Sequence, residues 1–217
     1  MRVFCILSLV IAVAAASPSG AADYPPNERP MYGEVVKTPA MLAADKKFIE
    51  YIEGLGLSRS AGSDQSVQLG FKYFFQRDFK TAIRRFNQAW LLDPQNGGAF
   101  HGFALVVLER DGDTATSESL FREALNRPRK SPDIYVDFGR FLLRQGRPAE
   151  AVDLLRQASS LSNAHPDVQA LIAIGLYETG NFPAACAEAR KVGPKAQDQV
   201  RDSIKSLLDS DHCRPTR

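Results

Sequence analysis

Small and large residues recur at a fixed interval in this chain, and that recurrence restricts its fold more than any other feature. Gly70, Ala104, Gly139 and Ala173 stand 34, 35 and 34 residues apart, each directly after a large apolar residue: Leu69, Phe103, Phe138 and Ile172. Tyr73, Val107, Leu142 and Leu176 follow three residues later. A second set trails the first by about one helix: Ala82, Ser117, Ala151 and Ala185, then the large Phe86, Phe121 and Leu155, then the small Ala89, Ala124 and Ala158. Pro94 closes the first unit. The units are 63–96, 97–131, 132–165 and 166–199. The second has one extra residue near Asp111-Gly112-Asp113, and Gly146 and Gly180 mark the turns of the last two. The fourth is the most divergent, with Gln169 in place of an aromatic and Val192 where a small residue is expected.

A repeat of this length is one pair of antiparallel helices joined by a short turn. Small residues at the crossing (Gly70 with Ala82, Gly139 with Ala151) let two backbones approach closely. Leu69, Phe86, Phe103, Phe121, Phe138 and Leu155 fill the space between helices. One pair cannot bury its apolar face alone, so neighbours stack into a solenoid with a continuous core. The fold class is therefore all-α, an α-solenoid of about four helix-turn-helix units.

The flanks are read separately. Residues 1–22 have Arg2, then an apolar run from Val3 to Ala16 broken by Ser8, then small residues ending at Gly20-Ala21-Ala22. This is the pattern of a secretory leader, with cleavage after Ala22 or, alternatively, after Ala16. The run is shorter than the ~20 residues a membrane span needs. Cys5 sits at its start, not behind the cleavage site where a lipid-modified cysteine stands. Residues 23–37 carry Pro25, Pro26 and Pro30 and are expected to be extended or disordered. In 38–62, Thr38-Pro39 reads as a helix cap with Pro at the first helical position. That helix runs to about Glu53 with Leu42, Phe48, Ile49 and Ile52 on one face, and a polar loop follows from Ser58 to Asp64. A last helix, 195–209, opens after Pro194 with Val200, Ile204, Leu207 and Leu208 on one side and Asp198, Arg201, Asp202, Lys205 and Asp209 on the other. Such a helix caps an open repeat with a charged face. Residues 210–217 form a tail.

The repeats over 63–199 resemble the tetratricopeptide-repeat (TPR) family. The resemblance implies a right-handed superhelix whose groove is lined by the first helix of each pair and binds proteins or peptides. Met31-Tyr32-Gly33, Lys37-Thr38-Pro39, Ala44-Asp45, Phe48-Ile49 and the run Arg85 to Pro94 resemble, more narrowly, small secreted bacterial TPR proteins. Groove positions carried over from the family are Val67, Phe71, Phe74 and Phe75 in the first unit, and His101, Leu105, Leu108 and Glu109 in the second. The third gives Val136, Arg140, Leu143 and Arg144, and the fourth Ala170, Ile174, Tyr177 and Glu178. The extra residue allows a register shift of one position at Leu108 and Glu109. TPR grooves that clamp a C-terminal carboxylate place Lys and Asn where this chain has Val67 and Phe71, so a chaperone-tail clamp is not expected. The strip is instead apolar with arginines at one end. Its occupant could be an external apolar or amphipathic peptide, the chain's own helix 39–53, or a second copy.

Without the leader the chain has 26 basic and 25 acidic residues, because Arg2 is the only charge removed. Lys and Arg are scattered, which argues against a nucleic-acid partner. Two cysteines remain. Cys186 lies early in the fourth unit's second helix, and a tail folding back from Leu208 brings Cys213 towards it. In an oxidising compartment this pair favours a disulfide over free or intermolecular thiols. The spacing of Cys186, His212 and Cys213 fits no zinc pattern. His101, His165 and His212 fall in different units, and there is no phosphate loop, zinc helix or nucleophile elbow. His101 on a groove helix reads as a hydrogen-bonded surface residue rather than a base. No cofactor, metal or catalysis is expected. The chain reads as a periplasmic adaptor or assembly factor, or alternatively as a non-catalytic accessory subunit of an envelope enzyme or a self-associating structural protein.

Overall fold

The computed structural model describes residues 24–161 and 165–214, and every regular element among them is helical. The secretory leader expected at 1–22, with Cys5, lies outside the described residues. Helix α1 spans Pro39–Gly54, α2 Arg59–Phe75, α3 Phe79–Leu92, α4 Gly97–Val106 and α5 Thr114–Asn126. Then come α6 Asp133–Arg144, α7 Pro148–Ser159, α8 Val168–Glu178, α9 Phe182–Ala189 and α10 Asp198–Leu208. Each short turn reverses the chain and consecutive helices pack together. So α2, α4, α6 and α8 run one way, and α3, α5, α7 and α9 run back.

Side chains start these helices where the sequence places acceptors. Thr38, Ser58, Asp78, Asn96 and Asp113 each accept from a backbone N–H of the first turn they precede. The turns need a left-handed residue, and Gly56, Gly112, Gly146 and Gly180 supply it with φ of 76°, 67°, 69° and 78°. At the α2–α3 turn the same role falls to Arg77, with φ of 60°. The extra residue of the second unit is absorbed as a π-helical turn, Val107–Asp111, that ends α4 just before Gly112.

The core is the interdigitation that the repeat anticipates. Phe86, Phe103, Phe121 and Leu155 are fully buried. Phe86 stands over two glycines, because a Cβ on Gly70 would come within 2.4 Å of its ring and one on Gly102 within 2.2 Å. Ser117 keeps the small position of α5 and gives its hydroxyl to the Ala104 carbonyl at 2.9 Å. Leu69 departs from the expectation. It is 40% exposed, since α1 meets only the N-terminal half of α2, where Ile52 packs against Gly62.

Three boundaries differ from the sequence reading. The expected polar loop over 58–64 is helical from Arg59. Gly62 and Ser63 already face the core there, and the Ser63 hydroxyl donates to the Ala89 carbonyl at 2.9 Å. The last helix starts at Asp198, three residues inside the expected range. Residues 26–34 are ordered against the repeats, and 35–37 keep the expected extended form. The ordered stretch forms two 3₁₀ turns, Pro26–Glu28 and Pro30–Glu34, strapped across α3. The anchor is Asn87, fully buried on α3: its amide nitrogen donates to the Asn27 and Arg29 carbonyls, and its oxygen accepts from the Tyr32 N–H at 3.1 Å. Glu28 pairs with Arg84 at 2.6 Å, and Tyr32 lies between Trp90 and the Lys37 ammonium. Two of the segments that carry the narrower resemblance, Met31-Tyr32-Gly33 and Arg85 to Pro94, are thus in contact.

Candidate functional site: the groove of α2, α4 and α6

The inner faces of α2, α4 and α6 enclose a cavity of about 690 Å³. One wall is aromatic. Phe71, Phe74, Phe75 and Phe79 form a cluster with ring centroids 5.6–6.3 Å apart from neighbour to neighbour. Phe75, at the rim, is 77% exposed. Leu105 and Val136 continue the apolar floor, and His101, Glu109, Asp137 and Arg140 line the far side. A second cavity of about 670 Å³ continues the first toward the starts of these helices, sharing Phe71, His101 and Asp133 and adding Val67 and Gly98.

The groove floor is crossed by a polar chain. The His101 Nε2 lies 2.9 Å from an Asp137 carboxylate oxygen, and Arg140 reaches the other oxygen at 3.2 Å. Arg140 also bonds the fully buried Asp167, whose other oxygen accepts from the Gln197 N–H at 2.9 Å. Helices α4, α6, α8 and the start of α10 are thereby joined. Burial works to raise the Asp137 carboxyl, but hydrogen bonds and charge from His101 and Arg140 outweigh it and hold it below the usual carboxylate range.

His101 is a correction to the surface reading. It is 3% exposed, with Phe71 and Phe121 rings at 5.2 and 5.9 Å, so it acts as a buried cross-link between helices. The other histidines stand elsewhere. His165 reaches the groove edge and bonds the Asp167 N–H, while His212 stacks on Phe182 at 3.7 Å. No group of three or more His, Cys, Asp or Glu side chains with metal-holding geometry occurs among the described residues. No helix among them is long and apolar enough to cross a membrane.

Of the residues read from the sequence, Phe71, Phe74, Phe75, His101, Leu105, Glu109, Val136 and Arg140 meet around the first cavity and Val67 around the second. Leu108 and Leu143 do not join them, being half-buried against the core beneath. Arg144 points to solvent and faces Glu109 at 3.9 Å. The helices of the fourth unit, α8 and α9, line no part of this groove, and from that unit only Gln197, ahead of α10, reaches its edge. Ala170 is fully buried with Ile204 and Leu207 of α10, and Ile174, Tyr177 and Glu178 line a separate cavity of about 640 Å³ beside that helix. The cap occupies the surface that the register assigns to the groove. Helix α1 lines neither groove cavity, so the chain's own helix does not fill it. Arg77, Phe79, Asp133, Asp137 and Gln197 are groove residues that the sequence reading missed. One repeat on from His101 lies Val136, so the neighbouring Asp137 was legible from the period. Arg77 and Gln197 were not, since turns and caps carry no repeat signal.

At the far end, Cys186 and Cys213 are joined by a disulfide with Cα atoms 5.5 Å apart, tying the tail behind α10 to α9.

The geometry agrees with comparison to known proteins. The tetratricopeptide-repeat family model matches residues 108–174 and 142–208. PilF of Pseudomonas aeruginosa superposes with a TM-score of 0.62 over 70% of each chain at 22% identity. YrrB, described as a TPR protein with an unusual peptide-binding site, superposes with a TM-score of 0.55 over 77% of this chain and 84% of its own at 15% identity. No curated protein matches the chain in a sequence search. The pattern of small and large residues, the stacked helix pairs and these matches agree: residues 108–208 belong to the tetratricopeptide-repeat family, and the helix pairs before them continue the same fold.

Proposed function

We propose that this chain is an exported, periplasmic protein-interaction module, an adaptor or assembly factor, that holds an apolar or amphipathic peptide in the groove of α2, α4 and α6. The observation that carries the reading is the rim of that groove. Phe75 leaves 77% of its surface in water within a four-phenylalanine cluster beside a cavity of about 690 Å³. Burying such a ring contributes about 1.5–3 kcal/mol to an association, and aromatic anchors in pockets dominate interfaces. Export rests on the leader-like residues 1–22 and on the Cys186–Cys213 disulfide, a bond that persists in oxidising compartments.

The test is capture of partners from a cell-envelope extract by the wild type and by Phe75→Glu. This ring is mostly exposed, so the variant keeps the fold, which circular dichroism checks. A partner retained by the wild type and lost by the variant supports the reading. Equal capture by both moves the contact to another face and refutes it.

A further inference from the structure

Almost every charge around the groove is answered within the chain. Arg140 lies between Asp137 and Asp167, and Arg129 pairs with Asp64 and Asp93. Glu109 faces Arg144 at 3.9 Å, and Lys130, in the second cavity, meets the Leu125 carbonyl and no carboxylate among the described residues. Two charges lining the first cavity have no opposite charge within salt-bridge range among the described residues. The Arg77 guanidinium lies 5.2 Å over the Phe79 ring, and the Asp133 carboxylate accepts only the Ser131 hydroxyl at 3.0 Å.

Their places differ in a useful way. Arg77 follows the end of α2, and Asp133 opens α6. Helices α2 and α6 run in the same direction, so the two charges stand at opposite lips of the groove. Asp133 also lines the second cavity, whereas Arg77 does not. The 12 residues of α6 set the scale of the separation, about 18 Å, or roughly three turns of a bound helix.

Arg77 carries a second, independent mark. The equivalent turns at Gly56, Gly112, Gly146 and Gly180 use glycine for the left-handed backbone, and only this one forces an arginine into it, at φ 60°. A left-handed non-glycine residue is disfavoured, and such strain concentrates at functional sites. Here it sits beside the exposed aromatic rim.

We propose that these two unanswered charges make the groove selective for a charge pattern: its occupant is an amphipathic helix with an acidic group at one end against Arg77, apolar residues over the phenylalanine cluster, and a basic group at the other end against Asp133. This rests on the peptide-binding reading of the groove and adds the partner's chemistry to it.

Three labelled helical peptides of about 14 residues (roughly 21 Å), capped at both termini and identical in their Leu/Ala centre, test it by fluorescence anisotropy with the full chain lacking its leader. One carries Glu at one end and Lys at the other, one Glu at both ends, one Lys at both. The mixed peptide binds about threefold to fivefold more tightly than the others at low salt, as expected for exposed ion pairs, and the gap closes near 0.5 M salt. Arg77→Glu moves the preference to the Lys peptide, and Asp133→Lys moves it to the Glu peptide. Arg77→Gly guards against misfolding, because it removes the guanidinium while relieving the backbone. It must keep the melting temperature at or above wild type and still lose the discrimination against the Lys peptide. Equal binding of all three peptides by every variant overturns the charge selectivity and leaves the groove reading standing. No binding of any of them, or binding that survives Phe75→Glu, overturns both.

Discussion

Asn87 has no exposed surface, yet all its amide hydrogen-bonding atoms are used, three bonds running to the backbone of residues 27–32. A buried amide with satisfied bonds is specific, whereas an emptied position leaves the Asn27 carbonyl unanswered and the Tyr32 N–H and Arg29 carbonyl with only each other. Asn87→Ala is expected to cost about 2–3 kcal/mol, read from urea unfolding, and to open residues 24–37 to protease. Arg77 gives the opposite sign. Giving its left-handed turn a glycine should stabilise the chain by about 1 kcal/mol and raise Tm by about 2–4 °C. Asp137 supplies a pH dependence. Its folded carboxyl titrates below the unfolded value of about 3.9. Its contribution is therefore present above pH 4 and is lost as pH falls through the lower folded value. Asp137→Asn should be less stable than wild type at pH 7 by about 2 kcal/mol, with the difference shrinking below pH 4 in acid-unfolding curves.

Among the elements, the pair Phe86 and its two glycines shows how closely the helices approach. Gly102→Ala would press a methyl into the Phe86 ring within 2.2 Å and should destabilise by about 1–3 kcal/mol. Helix α10 has a different role. Only Ile204 and Leu207 are buried from it, so its hold on the last repeat leans on the Gln197–Asp167 bond and on the disulfide behind it. The bridge closes a loop with a sequence separation of 27 residues, which the chain-entropy model converts to about 3–4 kcal/mol. The double variant Cys186→Ser, Cys213→Ser should lose that amount in denaturant unfolding, and α10 should show the largest rise in amide exchange.

At the scale of the molecule, a solenoid is stabilised by its nearest neighbours, so its ends are its weakest parts. The two ends here are unlike. The C-terminal end presents a charged helix locked by a disulfide, while α1 leaves Leu42, Tyr51 and Leu55 more than half exposed and buries only Ile52. Native-state hydrogen exchange should find α1 opening at the lowest free energy and α4 to α6 at the highest.

How much of this was legible follows from what the period encodes. Spacing at 34 residues set the pairing of helices, the core of Phe86, Phe103, Phe121 and Leu155, and the inner positions from Val67 to Arg140, because each residue's face is fixed by its place on a helix of known pitch. Local chemistry was likewise readable at Thr38-Pro39 and at the turn glycines. What lay outside the repeat was not. The strap over α3 and the loss of Ala170 to α10 depend on contacts between segments with no periodic relation. Composition read Pro25 to Pro30 as loose because nothing local shows that Asn87 waits to bind it. Sequence alone thus determined the repeating unit and its inner face, through short-range helix geometry. Tertiary structure alone decided which part of that face stays open, because closing it takes flanking chain from 30 residues away.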